Sequence, residues 1–228
     1  MKRIHMAVAM VALSLSWAAT ASAQMGMDFF QRPAIAKFIN PVVGKGAIYQ
    51  TTRGSSGDDK SSASELGVVA KETVEGKPGF WLQFVSTDGK GVTTLGKMLM
   101  TADDFQPHKM IIQRTGQPAM EMPFNPSVAH REKIEDSMKE WHSVGTETIT
   151  VPAGTFACEH WKNDTKGEDL WESDKVTPFG MVKQVGKSQT MVLTKVLNDV
   201  PDRITGPVTK FDPQQMMQQM QQQRQAKP

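Results

Sequence analysis

The chain predicts a mainly β fold: a curved antiparallel sheet or half-open β-barrel with one N-terminal and one central helix packed on it. Three observations carry that expectation. From Gly46 onward apolar residues recur with a period of two in segment after segment. Gly, Pro and Asp clusters interrupt these segments at short, fairly even spacing, as in meanders that curl or close. Only two stretches, one beginning near Pro33 and one over 128–141, carry helical spacing instead.

The N-terminus comes first. Lys2 and Arg3 precede an apolar run from Ala7 to Trp17, and Ala21-Ser22-Ala23 is a small-x-small cleavage site. That order is a secretory signal peptide over 1–23, cleaved after Ala23, and its apolar run is too short to span a bilayer. The chain is therefore expected in the periplasm or secreted. No later stretch is apolar enough to predict a transmembrane segment. Residues 24–213 are read as one β-rich domain and 214–228 as a disordered Gln/Met-rich tail.

Within the domain, Phe30, Ala34, Ile35 and Phe38 form a helical stripe, with a start near Pro33 and a stop at Asn40-Pro41. Ala47 to Arg53 is the first strand. Gly54 to Ser62 is a polar loop. Leu66, Val68, Ala70 and Val74 alternate in the second strand, and Glu75 to Gly79 is a turn. In the third strand Phe80, Leu82 and Phe84 share one face, with Trp81 and Val85 on the other. Asp88-Gly89 signals a hairpin. Strands over 92–101, 107–115 and 119–123 follow. Val128 to Trp141 is the central helix, with Ile134, Met138 and Trp141 on one side and Ser127 as its cap. Further strands are expected over 144–151, 155–162, 168–173, 179–186 and 189–198.

Charge excludes some partners. Without Lys2 and Arg3 the chain has 24 basic and 24 acidic residues. A neutral chain lacks the basic surface that nucleic acid or anionic lipid requires. The single cysteine rules out an internal disulfide, so the core must supply the stability.

Chemistry-bearing groups are sparse. Cys158 and His160 share a strand face, which suits a nucleophile–base or metal pair; a buried thiol beside a strand-end histidine is the plainer reading. His108, His130 and His142 are scattered. Asp58-Asp59, Asp103-Asp104 and Glu168-Asp169 fall in turn-rich segments and read as solvated charge. No phosphate loop, G-x-S-x-G or H-E-x-x-H motif is present. No catalytic residue and no cofactor are expected, and the chain is read as a non-enzyme. Of the 16 methionines, Met98/Met100 and Met120/Met122 are i, i+2 pairs, and Met216, Met217 and Met220 sit in the tail. The tail group suits a soft ion such as Cu(I).

The string TETITVPAGTFACEHWK, followed by LWESDKVTPFGMVKQ, resembles a segment of uncharacterised exported bacterial families related in architecture to the periplasmic carriers LolA and LolB. Val151-Pro152-Ala153-Gly154-Thr155-Phe156, Trp171 and Pro178 to Lys183 carry the likeness, which is local to residues 144–186. It implies a half-open antiparallel barrel with helices on its concave side and transfers no site residue. Physically, Pro152-Ala153-Gly154 and Thr177-Pro178-Phe179-Gly180 are turn devices. The leading expectation is a carrier-like protein for an apolar small molecule or lipid, held by Phe80, Leu82, Phe84, Met110, Ile112, Trp161 and Trp171. The alternatives are an envelope interaction protein using loop 54–62 or the tail, and methionine-based copper binding.

Overall fold

The structure, a computed structural model, describes residues 38–54, 60–87, 93–103, 105–122 and 140–212. Among these, every regular element is a strand: β1 (Gly46–Arg53), β2 (Lys60–Val74), β3 (Lys77–Thr87), β4 (Thr93–Thr101), β5 (Pro107–Arg114), β6 (Ala119–Met122), β7 (His142–Val151), β8 (Gly154–Asn163), β9 (Glu168–Glu172), β10 (Met181–Val185), β11 (Gln189–Leu197) and β12 (Val208–Lys210). The expected helices, from Pro33 and over 128–141, lie almost wholly outside the described residues, as do the signal segment and the tail with Met216, Met217 and Met220. Trp141, assigned from sequence to the second helix, lies just before β7 and is buried in the main core.

The twelve strands form a single sheet in the order β12-β6-β5-β4-β3-β2-β1-β11-β10-β9-β8-β7. It does not close: β12 and β7 are its two edges. β1 to β6 form one antiparallel meander and β7 to β11 another. The pair β1–β11 fuses them, with a bulge between Ile48 and Tyr49 that bends the sheet. β7 nevertheless reaches β11, so the second meander curls on itself.

Register shows how alternation builds the inner face. Ala47, Tyr49 and Thr51 lie opposite Leu66, Ser64 and Ser62, and Leu66 and Val68 lie opposite Phe84 and Leu82. Leu82 pairs with Met98 and Phe80 with Met100. These apolar residues belong to one buried cluster that continues through Met191, Leu193 and Leu170 into the second meander. Phe80, Leu82 and Phe84 share one face, as their spacing predicts.

The outer face of the first meander has its own, smaller cluster: Val74, Trp81, Leu99, Ile111 and Ala119, closed by Ile204. Ile204 belongs to a strap, residues 199–211, that leaves β11 and crosses the outer face to reach β6. Val200 N–H donates to Gly44 O at 2.9 Å. Val200 packs on the backbone of Gly67, where an added Cβ would come within 2.6 Å of its Cγ1. Gln83, 1% exposed, donates to Pro201 O at 3.1 Å and accepts from Arg203 N–H at 2.8 Å. Lys97 lies over the Trp81 ring and donates to Asp202 and to Ile204 O. The strap ends as β12, parallel to β6.

Several strand bounds differ from the sequence reading: Lys77 to Gly79, expected in the turn, open β3, and β7 starts already at His142. Lys60 to Ser62, expected in the polar loop, begin β2 because they pair with Arg53 to Thr51 of β1. β12 has no counterpart in the sequence reading, because its three residues are all exposed and show no alternation.

Candidate functional site

Two groupings could carry function. The first lies on β7, β8 and β9, around His160. Its Nε2 is 2.7 Å from Asp169 Oδ1 and its Nδ1 is 3.1 Å from Glu147 Oε1. Its ring stacks on Trp171, with centroids 4.3 Å apart. Trp171 Nε1–H donates to Glu147, and the Lys183 ammonium lies 5.1 Å from the Trp171 centroid. Lys162 is 3.7 Å from Asp169. Glu168-Asp169 is therefore not a solvated loop pair: it opens β9, and Asp169 is committed to His160 and Lys162.

This grouping does not activate the thiol. Cys158 is 1% exposed, and its S–H faces the Phe156 carbonyl of its own strand. Burial, then the carboxylates of Glu147 and Glu172, push its pKa up to about 11. His160 already has a carboxylate at each ring nitrogen, so neither nitrogen faces the thiol. The arrangement ties β7 to β10 by polar and stacking contacts. Among the described residues no group of three or more His, Cys, Asp and Glu side chains could hold a metal ion.

The second grouping is the inner face of the sheet. Met98 pairs with Met110 and Met110 with Met122; beside this row, Gly96 pairs with Ile112 and Ile112 with Met120. Met98 and Met100 are buried, whereas Met110, Ile112, Met120 and Met122 are only partly covered. Flexible thioethers make this end an adaptable apolar surface. Further along, β1, β11, β10, β9 and β8 present one cross-strand row: Thr51 opposite Met191, Met191 opposite Gln184, Gln184 opposite Leu170, Leu170 opposite Trp161. The Thr51 hydroxyl, both Gln184 amide atoms and Trp161 Nε1 are buried there without hydrogen-bond partners. Glu172, fully buried, shares the Leu170 side of β9. Tyr49 donates to Met181 O at 3.1 Å, and burial, then Glu172, holds its phenol proton more tightly than usual.

Of the residues singled out from sequence, Phe80, Leu82, Phe84, Met110, Ile112 and Trp161 fall on this inner face. Phe80, Leu82 and Phe84 are its buried floor, and Met110 and Ile112 its partly open end. Trp171 lies on the other side of β9 from Leu170, in the His160 grouping. Sequence reading missed Thr51, Gln184 and Glu172. The signal was there in part: polar residues at strand positions whose alternation points them inward.

No protein-family model matches the sequence, and no curated protein matches it either. Solved structures with a similar chain path include a protein described as a lipoprotein from Parabacteroides distasonis (16% identity, 70% of this chain and 97% of that one, TM-score 0.37). Another is an exported protein with a YmcC-like fold from Bacteroides fragilis (11% identity, 70% and 98%, TM-score 0.36). A third is MucB, solved in complex with MucA(peri) (12% identity, 79% of this chain but 58% of MucB, TM-score 0.43). These are weak likenesses, of the chain path alone.

Proposed function

We propose that the chain is an exported, non-enzymatic binding or carrier-like protein whose ligand is apolar and lies on the inner face of a half-open sheet. The observation that carries this reading is the continuity of that face across both meanders, ending in the partly covered Met110, Ile112, Met120 and Met122. Export is supported by the N-terminal signal pattern, and the non-enzymatic reading by the protected thiol and the committed His160. Titration with the apolar dye N-phenyl-1-naphthylamine tests it. Met110→Glu and Ile112→Glu place a carboxylate on the apolar surface and lower dye affinity about tenfold or more. Lys109→Glu, one residue before Met110 on the opposite face of β5, leaves affinity unchanged. A wild-type protein that gives no dye enhancement overturns the proposal.

A second reading, an envelope interaction protein, is favoured by β7. This ten-residue edge strand is exposed over most of its length. Among the described residues no strand pairs with its outer side, so its ladder could accept a strand from a partner. Binding of a partner that survives Met110→Glu but fails when Thr146 is replaced by Pro would favour this reading over the first.

A further inference from the structure

The inner face is not uniformly apolar, and its polar exceptions are arranged. Gln184 and Thr51 are each 1% exposed, yet neither finds a hydrogen-bond partner. Trp161 Nε1 is also enclosed and unpartnered. All three sit on one cross-strand row, with Met191 and Leu170 between them. A buried amide without partners forfeits its hydration for nothing, and native proteins rarely leave one so. Three on a single row, all on the inner side, is a pattern that a bound molecule would explain. Ser173 Oγ, just beyond β9, is a fourth unpartnered group near the end of the same strand.

We propose that this row is the polar end of the ligand site and that it takes the uncharged amide head of an amphiphile, with the apolar tail directed toward the partly covered Met110 and Ile112 end. This rests on the carrier reading above and deepens it. The chemistry of the orphaned groups selects the head. Trp161 Nε1–H and the Gln184 –NH2 can only donate, Gln184 Oε1 can only accept, and the Thr51 hydroxyl does either. The head must therefore both accept and donate. A secondary amide does so: its N–H and C=O point in opposite directions, so it can donate to Gln184 Oε1 on one side while its carbonyl accepts from Trp161 Nε1–H on the other. An ester or carboxylate has no donor for Gln184 Oε1. A carboxylate is further opposed by Glu172, on the same side of β9 two residues from Leu170.

Three probes with the same hexadecanoyl chain separate the possibilities: the N-methyl amide, the N,N-dimethyl amide and the free carboxylate. Each is titrated against the full chain by displacement of N-phenyl-1-naphthylamine. The N-methyl amide is expected to bind about tenfold more tightly than the other two, since only it offers donor and acceptor together. Gln184→Leu removes that preference, lowering affinity for the N-methyl amide to the level of the dimethyl amide while dye affinity is kept. Gln184→Met, closer in shape, does the same and guards against a folding defect. Equal affinity of the three probes for wild type, or a preference that survives both substitutions, overturns the assignment while leaving the carrier reading standing. Absence of binding by dye and by all three probes overturns both.

Discussion

At the scale of single residues, the inner-face polar groups and the thiol give opposite signs. Gln184 contributes two unpartnered atoms to a desolvated site, so it costs stability in the free protein. Gln184→Leu is expected to raise free-protein stability by about 1 kcal/mol, read as a higher urea midpoint at unchanged slope. Cys158 behaves as a protected group. Its pKa, raised from 9.0 to about 11, means that the unfolded chain loses the thiol proton before the folded one does. Its contribution to stability is therefore complete below about pH 9 and lost as pH rises through about 11. Cys158→Ala should flatten that part of the stability profile, and the native thiol should react with a disulfide reagent at pH 7.5 far more slowly than the unfolded one. His160 shows why single-residue chemistry was only half legible. Its strand face could be read from alternation, but Asp169 and Glu147 come from neighbouring strands whose register the sequence does not print.

At the scale of elements, the strap over residues 199–211 is the feature with the clearest energetic role. It covers Trp81, which alternation had placed on the face opposite Phe80 and Leu82 without saying what would cover it, together with Leu99 and Ile111. Gln83 holds it from below through two backbone hydrogen bonds. Gln83→Leu removes both bonds to the strap and should cost about 1–2 kcal/mol. Gly67→Ala pushes against Val200 and should cost about 1–3 kcal/mol. In amide exchange, both variants are expected to lose protection first along the strap and β12, with β9 and β10 unaffected. Strand positions were readable because apolar and polar residues alternate over β1 to β5 and again over β8 to β11. The Pro152-Ala153-Gly154 turn between β7 and β8 was readable too, and Gly154 takes φ 133° there. β12 was not, since a three-residue parallel strand with exposed side chains leaves no periodic mark.

At the scale of the molecule, two meanders are fused through β1 and β11 into one open sheet, and the main buried cluster runs across the seam. The curved antiparallel class was legible from period and punctuation. That the two halves join first strand to last, with β1 beside β11, was not, because pairing across so long a separation is set by the packing of whole faces. On the carrier reading proposed above, the inner face of this sheet holds an apolar molecule. Native mass spectrometry of the full chain, purified without detergent, is the decisive test. The expected result is a second, heavier species carrying a discrete adduct that organic extraction releases as an amphiphile, and that is lost in Met110→Glu. A spectrum showing only the bare chain, with nothing recovered by extraction, would contradict it.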